Sequence, residues 1–160
     1  MAAPLTAEVV VASNRAASGV YADTTGPLIV EALLADGWIV PEPVVVPDGD
    51  PVADAIRDAV ARGARVVITT GGTGLTPTDR TPEATQSLLD RAVPGIAEAI
   101  RAHGVAKGVP AAMLSRGVAG VVGSALVINL PGSSVGVRDG LEVVVPVLRH
   151  AVEQILGSDH

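Results

Sequence analysis

Residues 65–74 read RVVITTGGTG, and the change of character halfway through that stretch decides the fold. Arg65–Thr70 is a short β-branched run of the kind that is buried on both faces of a parallel sheet. Three glycines at 71, 72 and 74 then end the strand in a turn that builds no core. The same kind of run recurs on either side. Glu8–Ser13 (EVVVAS) predicts a first strand, and Ala125–Leu130 (ALVINL) a last one. Trp38–Val46 holds another; prolines interrupt it, so its best part is Val44–Val46, expected near a sheet edge. Between the strands lie helical periods. Gly26–Pro27 opens one, with Ile29, Ala32 and Leu33 on its apolar face and Gly37 as its stop. Asp50 is expected to cap the next, with Pro51 starting it, Val52, Ala55, Ile56, Ala59 and Val60 on its face, and Gly63 ending it. Pro82–Arg91 and Gly95–Ala102 read as helices separated by Pro94. Val109–Gly123 reads as a helical turn and a short extended piece. After Pro131–Ser134 a final helix carries Val137, Leu141, Val144, Leu148, Val152 and Ile155, with Pro146 expected to kink it. Alternating strands and helices of this length predict an α/β domain with a mostly parallel sheet and helices on both faces.

The chain has 160 residues, 48% hydrophobic and 18% charged, which suits a single globular domain over residues 1–160. Cysteine is absent, which excludes disulfides and thiolate metal sites. The net charge is −6, Lys107 is the only lysine, and the arginines are scattered. Tyr21 and Trp38 are the only aromatic residues. Neither the phosphate-neutralising patch nor the stacking platform of a nucleic-acid binder is present. The opening MAAPLTAEVVVAS lacks the pattern of a signal peptide, and no apolar run approaches the ~20 residues needed to span a bilayer. The expectation is a soluble, cytoplasmic protein that binds no nucleic acid and no membrane.

In open parallel sheets ligands bind outside the carboxyl ends of the strands. Four strands here end in small polar loops, Ser13-Asn14-Arg15, Pro47-Asp48, Thr70-Gly71-Gly72-Thr73-Gly74 and Asn129-Leu130-Pro131-Gly132-Ser133, and all four are expected to face one crevice. Consecutive N–H groups of a glycine turn form a concavity suited to phosphate, with Thr70 and Thr73 adding hydroxyls. The other reading of the same residues is a tight strand-to-helix turn with no ligand. It is not a Walker loop, and no G-x-G-x-x-G occurs. Thr81, directly before Pro82, is expected to cap a helix, which leaves Asp79 for a ligand; with Asp50 capping its own helix, Asp48 is spare too. Two such carboxylates beside a phosphate-sized turn suggest Mg2+ shared with phosphates. Arg15, Arg80, Arg116 and Arg138 are candidates to neutralise phosphate charge. His103 and His150 are expected on exposed helix faces and His160 ends the sequence, so no histidine dyad is suggested. Ser13 and Ser115 lack the G-x-S-x-G setting of a hydrolase nucleophile.

Several of these pieces together resemble the MoaB/Mog family of molybdenum-cofactor biosynthesis proteins, in particular the Mog-type molybdopterin adenylyltransferases. They are Thr70-Gly71-Gly72-Thr73-Gly74, Asp79, Thr81-Pro82-Glu83-Ala84-Thr85, Val46-Pro47-Asp48, Met113-Leu114-Ser115-Arg116 and Ile128-Asn129-Leu130-Pro131-Gly132. The resemblance runs from about Val9 to Leu156. It implies a three-layer αβα sandwich, a homotrimer, and activation of molybdopterin by Mg2+ and ATP to adenylylated molybdopterin and pyrophosphate, before a downstream protein inserts molybdate. It implies catalytic and metal-holding roles for Asp48 and Asp79, phosphate contacts for the glycine motif, and molybdopterin binding by Ser115. The Asp23-to-Gly26 loop, with Asp23 and Gly26, matches the family pattern as well, and Ser13, Arg15, Asn129, Pro131, Gly132 and Ser133 complete the expected ligand set. Two positions depart from the family. Asn14 stands where many members carry Asp, and Ser133-Ser134 follow Pro131-Gly132 where a later Pro is common; Ser134 is the expected cap of the last helix. The alternative reading is a MoaB-like protein that binds molybdopterin with little or no adenylylation. A scaffold with a lapsed site and a nicotinamide dehydrogenase stand behind it.

Overall fold

Strands that are apolar on both faces need cover on both faces, and the helices between them supply it. The computed structural model describes residues 5–20 and 22–158; Tyr21 and His160 lie outside them. In chain order the elements are β1 (Ala7–Ala12), α1 (Asn14–Ala17), α2 (Thr25–Ala35), β2 (Val44–Val46), α3 (Asp50–Ala61), β3 (Val66–Thr70) and α4 (Thr81–Gln86). They continue with β4 (Arg91–Ala92), α5 (Pro94–Ala106), a 3-10 turn (Pro110–Leu114), β5 (Ala119–Val122), β6 (Ala125–Leu130) and α6 (Ser134–Ile155). The strands form one sheet in the order β2-β1-β3-β6-β5-β4. The first four are parallel; β5 pairs antiparallel with β6, and β4 pairs antiparallel with β5 at the far edge. The fold is the expected three-layer αβα sandwich.

Successive strand residues serve opposite layers. Val9, Ile68 and Ile128 pack under α2, α5 and α6, against Ile29, Leu33, Ile100, Val137, Leu141, Val144 and Leu148. Val10, Val67 and Val127 pack under α3, against Val52, Ile56 and Ala59, with Ala84 and Leu88 beside them. Each fully buried Val, Leu or Ile contributes about 1.5–3 kcal/mol relative to exposure. β2 is three residues long and lies at the edge, where its flanking prolines cost no ladder bonds.

Several local expectations are corrected. The helix expected over Pro82–Arg91 stops at Gln86, and Arg91–Ala92 forms an edge strand on β5. Asp90 N–H donates to the Val121 carbonyl, and Asp90 Oδ2 accepts from Gly123 N–H at 2.7 Å, so pairing with a distant strand overrides local helical propensity. Gly49, not Asp50, occupies the N-cap of α3. Thr81 is the first residue of α4 rather than its cap, and Ser133 rather than Ser134 caps α6. α2 begins at Thr25, which puts Pro27 at its third position. The short α1 had no signal in the sequence. Pro146 does lie inside α6, and the helix continues to Ile155 with Val144 and Leu148 buried on either side of it. Among the described residues no helix is long and apolar enough to cross a membrane.

Candidate functional site

The site follows from strand order. α2 carries the chain from β1 outward to β2 on one face, and α3 carries it back to β3 on the other. The order reverses between β1 and β3, where a crevice opens at the carboxyl ends. Register keeps those ends level: Ala12 pairs with Val46, Val11 with Thr70, and Thr70 with Leu130. The four polar loops therefore meet as expected. Gly71, at φ +90°, has the Ala12 carbonyl oxygen where a side chain would stand. Gly72, at φ +68°, lies against Thr81 Oγ1 and Asp48 Oδ1, and Gly74 lies against Asp79 Oδ2. A Cβ on Gly132 would come within 3.2 Å of Gly71 Cα. The absence of side chains is what lets the turn touch every neighbouring loop.

The two aspartates meet that turn at different glycines, Asp48 at Gly72 and Asp79 at Gly74. Asp48 N–H donates to Asn14 Oδ1 at 3.0 Å, so the Asn14 side chain orients the loop carrying Asp48. Asp79 Oδ2 accepts from Thr76 N–H at 3.0 Å, closing a tight turn on itself. Burial first, and then the negative charge of Asp79, pushes the Asp48 carboxyl above its usual range, against the opposing hydrogen bond at Asn14. Among the described residues, Asp48 Oδ1 and Thr81 Oγ1 are buried and have no hydrogen-bonding protein partner.

A raised folded-state pKa on an acid favours the fold below the unfolded value of 3.8, and that contribution is lost as pH rises through the folded value. At neutral pH the ionised Asp48 therefore strains the ligand-free protein. Asp48→Asn is expected to raise Tm at pH 7, and the gain over wild type to shrink as pH falls through the carboxylate range. Thermal scans from pH 7 to pH 3.5 check both parts.

Two cavities open on this edge. One, of about 390 Å³, is walled by Ile100, Val109, Ala112, Leu114 and Val135, with Gly72–Gly74, Asp79, Arg101, Ser115 and Asp139 as its polar points. The start of α6 contributes Ser133 and Gly136, so the positive end of that helix faces it. The other, of about 480 Å³, lies at the β1–β3 reversal among Ser13, Asp23, Thr25, Thr70 and Gly71. Gly132 borders both.

Several expected contact residues already have structural partners. Asn129 is buried; its Nδ2 donates to Thr69 Oγ1 at 2.9 Å and Thr85 Oγ1 at 3.0 Å, and its Oδ1 accepts from Val118 N–H at 3.1 Å. It ties three elements together and lines neither cavity. Thr70 Oγ1 donates to the Pro131 carbonyl at 2.7 Å, latching β3 to the loop after β6. Ser13 and Ser133 cap α1 and α6, accepting from Ala16 and Gly136 N–H. Asp23 Oδ1 accepts from Gly26 N–H at 3.0 Å, and a side chain on Gly26 would meet Asp23, Val11 and Pro43, so this pair packs α2 against β1. Arg15 and Arg138 are exposed and line neither cavity, and Arg80 borders a separate polar depression between α3 and α4.

Arg116 is the clearest reassignment. Its backbone N–H donates to the Thr73 carbonyl at 2.8 Å, Nε to the Gly74 carbonyl at 2.9 Å and Nη2 to the Asp79 carbonyl at 2.8 Å, while Nη1 reaches both Glu83 oxygens at 2.7 and 3.0 Å. It clamps the turn and does not reach out for a phosphate. Arg116→Ala is expected to cost about 1–2 kcal/mol, discounted for its partial exposure. Backbone amide exchange should accelerate across residues 73–83 and little elsewhere, which hydrogen-exchange mass spectrometry measures.

Two polar residues of the 390 Å³ cavity carried no sequence signal. Arg101, on α5, donates from Nη1 to the Ser115 carbonyl at 3.3 Å and the Gly117 carbonyl at 3.0 Å. Asp139, on α6, is buried and pairs with Lys107 at 3.2 Å. Both sit in helical stretches whose periodicity shows only the core stripe. His103 is engaged rather than idle, its Nε2 2.6 Å from Glu142 Oε2.

An open, mostly parallel sheet with a glycine turn, two carboxylates and paired cavities at its carboxyl edge has the architecture of an α/β ligand-binding protein. Residues 8–150 match the family described as "Probable molybdopterin binding domain", and the chain belongs to that family. It is 38% identical to the molybdopterin adenylyltransferase of Helicobacter pylori (strain J99), over 94% of this chain and 87% of that protein. It is also 38% identical to the molybdenum cofactor biosynthesis bifunctional protein of Synechococcus elongatus, over 96% of this chain but 48% of that protein. The chain thus spans about half the length of that relative and of a second bifunctional one from Chlorobaculum tepidum. Among solved structures, the molybdopterin biosynthesis Mog protein of Mycobacterium ulcerans superposes with a TM-score of 0.91 at 49% identity, covering 98% of this chain and all of the other.

Proposed function

We propose that the protein is a molybdopterin adenylyltransferase of molybdenum cofactor biosynthesis. One observation carries the reading: the glycine turn is held between Asp48 and Asp79, touching both. In the transfer, an oxygen of the molybdopterin phosphate attacks the α-phosphorus of ATP, the bond to the β-phosphate oxygen breaks, and pyrophosphate leaves. The nucleophile is already an oxyanion, so no general base is needed; positioning and charge neutralisation are. The backbone from Gly72 to Gly74 would supply N–H groups toward phosphate, Gly71 N–H being spent on the Leu130 carbonyl, and Arg116 holds that backbone still through the Thr73 and Gly74 carbonyls. The cavity with apolar walls and Ser115 suits a pterin with a few polar edges. Arg15, exposed on α1 just after β1, would assist with the ATP phosphates.

The residues present fit a divalent cation. Among the described residues Asp48 Oδ1 has no protein partner and no third carboxylate or histidine joins Asp48 and Asp79, whose negative charges repel each other. That is the donor set by which Mg2+ is held, one or two carboxylates with the rest from phosphate and water. When bound, Mg2+ would neutralise phosphate charge. Asp48 and Asp79 would hold it, and Arg116 and Asn14 keep their loops in place. The reading carries with it a homotrimer in the cytoplasm and a downstream protein that inserts molybdate.

Incubation with molybdopterin, ATP and Mg2+ tests it. Adenylyl-molybdopterin and pyrophosphate are expected in equal amounts. Molybdopterin binding by calorimetry with no pyrophosphate would replace the enzyme with the MoaB-like binder.

A further inference from the structure

Thr81 is completely buried, yet its hydroxyl has no partner among the described residues. A buried hydroxyl without a hydrogen bond is costly, and native structures keep few of them. Among the described residues the only other such side-chain atom is Asp48 Oδ1, and the two orphans face one spot. A Cβ built on Gly72 would collide with Thr81 Oγ1 and stand 2.8 Å from Asp48 Oδ1, so the two oxygens are no more than about 5 Å apart. Two oxygens within that limit can share one water molecule, hydrogen-bonded at about 2.8 Å to each. Thr81 is also well anchored to face it: its N–H donates to the Gly72 carbonyl at 3.0 Å, and it opens α4 just before Pro82.

We infer that Thr81 is a positioning residue for Asp48, its hydroxyl directing the Oδ1 edge of that carboxylate through one bridging water that sits over Gly72. The inference rests on the adenylyltransferase reading for its kinetic consequence, though its structural consequence stands apart from it. Gly72 is then the residue whose missing side chain leaves the bridge its room. Asp48 is held on one side by the Asn14 contact to its N–H and on the other by Thr81.

The test is Thr81→Val beside Thr81→Ser. Valine keeps the shape and removes an orphan hydroxyl, so a purely packing role leaves Tm unchanged or raised and turnover intact. The positioning role also leaves Tm unchanged or raised, but kcat for pyrophosphate release falls about 10- to 100-fold with KM for ATP little changed; serine restores most of the rate. Wild-type kcat in Thr81→Val would overturn the inference. A high-resolution crystal structure gives the second readout, independent of activity. Wild type should show a water bonded to both Thr81 Oγ1 and Asp48 Oδ1 that is missing in Thr81→Val; no such water in wild type would overturn the inference even if the enzyme is active. If wild type releases no pyrophosphate but the water is present, the adenylyltransferase reading fails and the Thr81–Asp48 bridge stands.

Discussion

Asp79→Asn is expected to abolish pyrophosphate release while leaving ATP and molybdopterin binding largely intact. Asparagine keeps an oxygen for Thr76 N–H, the bond by which Asp79 closes its turn, so the loop retains its course. Arg116 contacts the Asp79 carbonyl, not its carboxylate, and that clamp survives as well. What disappears is one negative charge beside Gly74, where the proposed cation and transferring phosphate meet. Losing a group that acts mainly in the transition state lowers kcat at least about 100-fold with little change in ground-state affinity. Pyrophosphate assays and calorimetry on the same preparation separate the two. Wild-type turnover in this variant would sink the proposed function.

Gly71→Ala is expected to give the largest loss of stability among substitutions in the turn, about 3 kcal/mol, or a fall in Tm of roughly 6–12 °C. Two costs combine. The residue sits at φ +90°, a region that L side chains rarely adopt, and its new methyl would run into the Ala12 carbonyl oxygen. That oxygen belongs to the backbone of β1 and cannot swing aside, so β1 and β3 would have to part at the crevice. Gly19→Ala is the control for strain alone, since Gly19 has φ +80° but nothing within 4 Å of the new atom; it should cost about 1 kcal/mol. Gly74→Ala controls for a soft contact, meeting only the Asp79 side chain at 2.8 Å. Urea unfolding of the three variants measures the ranking, and equal losses at Gly71 and Gly19 would show that close approach to β1 is not the reason for glycine.

The fold was legible where local pattern and tertiary environment ask for the same thing. Ala125–Leu130 is a strand with the bounds its sequence suggests because all six residues are buried and all suit a pleated, enclosed surface. Val44–Val46 is short and peripheral for the reason its prolines announce. Local pattern failed where a distant partner decides. Nothing between Gln86 and Pro94 announces an edge strand, because Arg91–Ala92 is exposed and owes its form to β5. The site divides the same way. Residue types placed Asp48, Asp79 and the glycines at strand ends and made them chemically plausible. They could not distinguish a group that faces a ligand from one that faces the protein. Arg116 looked like a phosphate contact and is a loop clamp, Asn129 looked like a ligand contact and is a buried tie, and Arg101 and Asp139 were hidden among helical residues.

The sequence by itself determined the sheet, its cover on two faces, the loops at one edge and the chemistry those loops can offer, because strand and helix periods and glycine turns are set by neighbours a few residues apart. The tertiary structure alone decided which polar groups are spent inside the protein and which remain for a ligand. The least legible of those decisions depend on pairs separated by 30 or more positions, such as Arg116 with Glu83 and Asp48 with Asn14. A hydrogen bond satisfied across the fold leaves no trace in the residues beside it.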